Sequence, residues 1–135
     1  MSAAQTLLVR RAYDAFARGD LPGVVDCLAD DAECVLSDET PYGGVWRGRD
    51  GIARGMEELA GHYEELVLEV SELVGDGDTV VVLGNIHGRA LGGGNLWQPF
   101  AHVVRVRDGR ISHLTSYADA TKPLRALGLF PAPPA

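Results

Sequence analysis

The sequence predicts an α+β fold in which N-terminal helices cover one face of a cone-like, curved antiparallel sheet. Three observations carry this. Apolar residues recur at helical spacing as far as the stretch ending at Tyr63, a period-two alternation takes over from there, and Gly-rich turns cut the second half into long strands.

Helix one runs from Ala3 to Arg18, with Leu7, Leu8, Ala12, Ala15 and Phe16 on one stripe. "RGD" at 18–20 stops it, and Gly19 suits the left-handed position after a helix. Asp20 caps a second, short helix, "LPGVVDCLA", with Pro22 near its first turn. "DDAECVLSD" is extended, and "ETPYGGVW" is an irregular loop by its Pro and Gly content. "RGRDGIARGMEELAGHY" restarts a helix, capped by Asp50, whose buried face carries Ile52, Met56 and Leu59. His62 and Tyr63 end it, one of them facing the mouth of any enclosed space.

"ELVLEVSELV" alternates as a strand, "GDGD" turns, and "TVVVLGNIHGRAL" is the next strand. "GGG" at 92–94 breaks the pattern before "NLWQPFAHVVRV", and the "RDG" turn leads into "RISHLTSYA". "LGGGN" lacks the spacing of a phosphate loop and sits between strands, so it is a hairpin or bulge device. Asp119 caps a final helix, "ATKPLRALG", and a Pro-rich tail over 128–135 closes the chain, loosely ordered. At 135 residues the chain is expected to be a single domain, 1–135, with a core over about 7–127.

Composition narrows the function. A formal charge of −7 opposes the phosphates of nucleic acid. "RVRDGR" is basic but holds an aspartate and follows a hairpin, so it is a solvated edge. No apolar run approaches the roughly 18 residues of a membrane span, and the N-terminus reads as an amphipathic helix rather than a signal peptide. A cytoplasmic protein is the expectation. Cys27 and Cys34 are read as small core hydrophobes, and nothing in the ligand spacing calls for a metal or a cofactor.

The candidate chemistry centres on histidine. Strand parity places Phe100, His102, Val104 and Val106 on one face, so an imidazole shares an apolar wall. The same argument groups Val81, Leu83, Asn85 and His87 on one face of the preceding strand, and the two sets are expected to converge on one chamber. An imidazole with a pKa near 6.5 exchanges protons near neutrality, and an apolar wall favours its neutral form. Ser116 and Leu114 take the inward parity of the last strand, and His113 the outward one. Asp38 and Glu39 are either carboxylate partners or solvated loop charges. Tyr13, Phe16, Trp46, Met56, Trp97 and Phe100 are placed to line a cavity, although core packing explains most of them equally well. Tyr63 is a further candidate at the mouth.

The helix ending in "ARGD", the run "VVDCLADDAECVL", the restart "WRGRDGI" and the hairpin "HVVRVRDGRI" together resemble the nuclear transport factor 2-like superfamily, from about Leu7 to Leu127. Within it the chain is most similar to the SnoaL-like, ketosteroid-isomerase-related group. The resemblance implies a cone-shaped roll around a deep apolar pocket and a homodimer formed through the outer sheet face. By the same resemblance, His102 falls where ketosteroid isomerase has the protonated aspartate of its oxyanion hole. That enzyme's helix-one tyrosine falls on Ala12, next to Tyr13, so that partner is expected to be missing. Its general base falls near Leu36, or near Glu39 and Thr40. Against limonene epoxide hydrolase, Asn85 and His87 fall at the arginine and first aspartate, and Ser116 at the second. Neither catalytic set is complete.

The expectation is therefore a small hydrophobic, carbonyl-bearing ligand of polyketide or terpenoid type. It would be isomerised, cyclised or hydrated by cofactor-free proton transfer, with His102, His87, Asn85 and Ser116 as the acting groups. The alternative is a non-catalytic binding protein of the same fold.

Overall fold

The computed structural model describes residues 2–119 and 121–129. Its elements are α1 (Ser2–Ala17), α2 (Leu21–Val25), β1 (Leu28–Leu36), β2 (Gly44–Arg47), α3 (Gly48–Gly61), β3 (Tyr63–Asp76), β4 (Thr79–Ala90), β5 (Asn95–Arg107), β6 (Arg110–Tyr117) and α4 (Thr121–Ala126). The six strands form one sheet in the order β2-β1-β6-β5-β4-β3. Strands β3 to β6 are an antiparallel meander, while β1 joins β6 in parallel. That parallel pairing brings the helical first part of the chain back over the sheet.

On α1 the buried residues are Val9, Ala12 and Ala15, with Leu8, Tyr13 and Phe16 packed beside them. Leu7, placed on the apolar stripe by sequence, is 65% exposed. Gly19 follows the helix at φ +72°, a conformation that costs glycine little. Asp20 caps α2 by accepting a hydrogen bond from the Gly23 amide at 3.0 Å. At the β5–β6 hairpin Asp108 and Gly109 both have positive φ, as a two-residue turn of matching twist requires.

Three sequence expectations are corrected. "ETPYGGVW" is not loop throughout, because Val45 and Trp46 pair with Val35 and Cys34 as strand β2. Asp50 is not the cap of α3: Arg47 holds that place without a side-chain capping bond, and Asp50 lies in the first turn, where its carboxylate suits the helix dipole. Tyr63 does not end α3; it opens β3 and is buried, while His62 is the C-cap. The tail expected over 128–135 falls from residue 130 onward outside the described residues.

Residues paired across strands share a face of the sheet, so β5 fixes the others. Its inner residues Leu96, Gln98, Phe100, His102, Val104 and Val106 are all buried, in strict alternation. One inner row runs Trp46, Cys34, Leu114, Val104, Val80 across β2, β1, β6, β5 and β4. Helix α3 closes over one end of this row, where Gly55 meets the Trp46 ring so closely that an added Cβ would overlap it. Alanine would favour the helix by about 1 kcal/mol. Overpacking the ring costs more, so Gly55→Ala is expected to destabilise the fold by about 1–3 kcal/mol in urea unfolding and to shift the tryptophan emission. Unchanged or increased stability would mean that the ring moves aside freely.

Candidate functional site

Between α1, α3 and the inner face of the sheet lies a cavity of about 180 Å³. Tyr13 and Phe16 enter it from α1, Met56 from α3, Trp46 from β2, and Leu114 and Ser116 from β6. His102 stands in its β5 wall, 8% exposed, opposite Ser116 in the strand register. Phe100 packs on the imidazole with ring centroids 4.4 Å apart, supporting the ring from behind rather than lining the space.

The centre of the site is one hydrogen bond. The Tyr13 hydroxyl and His102 Nδ1 are 2.5 Å apart, joining the first helix to the central strand. Tyr13 was expected only to line the cavity, with His102 lacking a helix-one partner; that absence is corrected. Desolvation pushes the His102 pKa down to about 4, so the imidazole is neutral at pH 7. Burial, with the Cys34 thiol nearby, holds the Tyr13 phenol well above its ordinary value, so it keeps its proton. Two neutral groups share one bond, and their protons can be assigned. A buried phenol O–H needs an acceptor, and Nδ1 is one only in the tautomer that carries its hydrogen on Nε2. Tyr13 therefore donates to Nδ1, and the site offers an Nε2–H donor.

Several residues expected here lie elsewhere. Val82 pairs with His102 and Ile86 with Gln98, so Val80, Val82, Gly84 and Ile86 form the inner face of β4. Asn85 and His87 therefore point outward, and their assignment to the chamber is corrected. His87 faces Glu69, Nε2 to Oε2 3.6 Å, on the surface. Trp97, the partner of His87 in register, is 58% exposed on the same outer face and does not line the cavity. Tyr63 belongs to a neighbouring cluster, where its hydroxyl bonds that of Tyr42 at 3.0 Å. Asp38 and Glu39 are exposed. His113 bonds Thr115 at 2.8 Å.

Other residues line the cavity that were not read as lining it. Gln98 has the parity of Phe100 and His102, and that was its signal. Thr40 and Tyr42 come from the loop before β2, and Cys34, whose thiol is pushed up to about 12 by burial, from β1. Asp119, an exposed residue, lines the cavity beside Ala118 and Ser116. The sequence predicts it only as a helix cap; here it borders the cavity. Glu33 is also at the edge, but Arg47 Nε donates to its carboxylate at 2.9 Å. Among the described residues no three His, Cys, Asp or Glu side chains are grouped to hold a metal. No described helix is long and apolar enough to cross a membrane.

The SnoaL-like domain profile matches residues 9–114. The chain is 35% identical over 116 residues to the uncharacterized protein Rv0034 of Mycobacterium tuberculosis, covering 83% of this chain and 87% of that one. It is similar to the crystal structure of an NTF2-like protein of unknown function from Burkholderia pseudomallei, with 31% identity, a TM-score of 0.86 and coverage of 92% and 97% of the two chains. A candidate polyketide cyclase from Xanthomonas campestris shares the fold at 24% identity, with a TM-score of 0.81 over 93% and 98% of the chains.

The depressed imidazole pKa has a consequence for stability. The folded ring titrates at about 4 and the unfolded ring near 6.5, so between these values the unfolded chain binds more protons. This contribution is fully present above about pH 6.5 and is lost as the pH falls towards 4, by an amount on the order of 3 kcal/mol. Urea unfolding at about pH 7.5 and about pH 5 is expected to show the loss in the wild type and a smaller one in His102→Gln. Equal acid sensitivity in both would mean that the imidazole is hydrated when folded.

Proposed function

The chain belongs to the SnoaL-like domain family, and from that premise we propose that its cavity takes a small hydrophobic, carbonyl-bearing molecule and rearranges it by proton transfer without a cofactor. The observation that supports this most is the Tyr13–His102 pair: a neutral imidazole, its tautomer set by the Tyr13 hydroxyl, stands in a largely apolar wall. A purely apolar binder gains nothing from burying such a group.

The chemistry follows from the tautomer. The Nε2–H of His102 donates to the substrate carbonyl oxygen and stabilises the negative charge that gathers there. The Asp119 carboxylate, on the cavity lining, takes the proton from the carbon beside the carbonyl, whose bonding pair becomes the C=C of an enolate. Returning the proton to another carbon gives isomerisation; attack of the enolate on a second carbonyl, whose C=O pair moves onto its oxygen and takes the proton back from Asp119, gives cyclisation. Ser116, next to His102 in the register, orients the oxygen. Asn85 and His87 have no part in this scheme.

A homodimer through the outer sheet face belongs to the same reading. Val45, Val35, Thr115, Val103, Val81 and Val74 make one continuous row across all six strands there. Trp97 and Tyr117, 58% and 63% exposed, add aromatic surface to that face. Sedimentation at tens of micromolar, an order-of-magnitude choice for a specific dimer, is expected to give twice the chain mass. A monomer at that concentration removes the interface.

The catalytic reading is tested by exchange of the hydrogens beside the carbonyl into D2O, followed by NMR on a panel of single-ring ketones. The protein is expected to accelerate exchange of at least one member. His102→Gln should lower that rate by roughly 10²-fold or more while the fold persists, and Tyr13→Phe by less. Binding without any acceleration would establish the alternative, a non-catalytic carrier of the same molecules.

A further inference from the structure

Gln98 precedes His102 by four residues on β5, on the same inner face and in the wall of the same cavity. It is 4% exposed, and its Oε1 is buried with no hydrogen-bond partner among the described residues. Its cross-strand neighbours are Ile86 and, beyond it, Leu68, neither of which offers a polar side-chain atom. An amide buried in this way costs stability, and a leucine of similar size would remove the cost. The residue stands where a ligand would lie, so the missing partner has an obvious source.

We infer that Gln98 is a second recognition point of the cavity, and that the ligand carries a hydroxyl at the end opposite the carbonyl held by His102. The inference rests on the cavity reading proposed above. A hydroxyl is the group that fits because the end torsion of a glutamine is soft and either its oxygen or its nitrogen can face the ligand. A hydroxyl both donates and accepts, so it satisfies the amide in either orientation.

Spacing sets the size of the molecule between the two points. Four residues of strand span about 13 Å. A hydrogen bond of about 3 Å at each end leaves about 7 Å, the reach of one six-membered ring substituted at opposite positions. Volume points the same way: an apolar cavity of about 150 Å³ holds one benzene ring, and this one is about 180 Å³. The substrate class is thus narrowed from polyketides and terpenoids at large to a single-ring hydroxy ketone, or a longer molecule whose hydroxylated ring alone enters.

The test compares para-hydroxyacetophenone with acetophenone by isothermal titration calorimetry, on the full chain and on Gln98→Leu. The wild type is expected to bind the hydroxylated ketone about tenfold or more tightly, and Gln98→Leu to bind both within about twofold of each other. Gln98→Leu should also melt about 3 °C higher, since it removes an unpaired buried amide. Gln98→Met, closer in shape, gives the same comparison should the leucine variant fold poorly. Equal binding of both ketones by the wild type, or a hydroxyl preference that survives the substitution, overturns the assignment of Gln98 while leaving the cavity reading intact. A lower melting temperature in both variants also overturns it, because the amide is then satisfied within the protein, as by an internal water. Binding of neither ketone overturns the inference together with the cavity reading beneath it.

Discussion

The hydrogen bond from the Tyr13 hydroxyl to His102 Nδ1 is the interaction on which the site depends. An imidazole set into a wall of Phe100, Val82 and Val104 cannot hold a charge cheaply, and a neutral ring still carries two nitrogens that need partners. Tyr13 satisfies one of them from helix α1. In doing so it fixes the rotation of α1 about its own axis, since a turn of one residue would swing the phenol away by roughly 100°. The helix position, the ring tautomer and the direction of the remaining N–H therefore follow from a single contact.

Much of this was legible in the sequence, and the failures have physical causes. Strand β5 alternates buried and exposed through its whole length, so its parity could be read without a partner. Strand β4 could not be read in that way. Val80 and Val82 on one face match Val81 and Leu83 on the other, so the alternation carries no polarity at its start. Only the register across the 91–94 turn decides which set faces inward, and a Gly-rich turn leaves its own length of pairing open. Asn85 and His87 were misplaced for that reason alone. The strand pairing of Val45 and Trp46 was hidden similarly, because Pro and Gly in "ETPYGG" signal a break but not where it ends.

Tyr13 shows how a resemblance can mislead where a helical argument would not. Matching residues by family pattern put the key tyrosine position on Ala12 and left His102 without a partner. The spacing Val9, Ala12, Tyr13, Phe16 is itself a buried stripe, and its single hydroxyl had to find a partner among inner-face groups. Gln98 carried an equally plain signal, since it lies four residues before His102 in an unbroken alternation. It escaped notice because an amide suggests a surface, whereas its parity dictates the interior.

What keeps the cavity open is the loop ahead of β2. The Trp46 indole donates to the Tyr42 carbonyl at 2.9 Å, the Tyr42 hydroxyl meets Tyr63 at 3.0 Å, and the Thr40 hydroxyl donates to the Ser37 carbonyl at 3.0 Å. At Gly43 the chain passes so near the Ser37 carbonyl that any side chain would collide with it. A segment rich in Pro and Gly is thus tied at several points, and its residues form part of the cavity wall instead of a mobile cover. A wall built before the ligand arrives loses little further freedom on binding, which leaves more of the contact energy for discrimination. Such a wall also cannot collapse onto the unpaired amide of Gln98. Its rigidity preserves both the space and the unmet hydrogen bond that a ligand would complete.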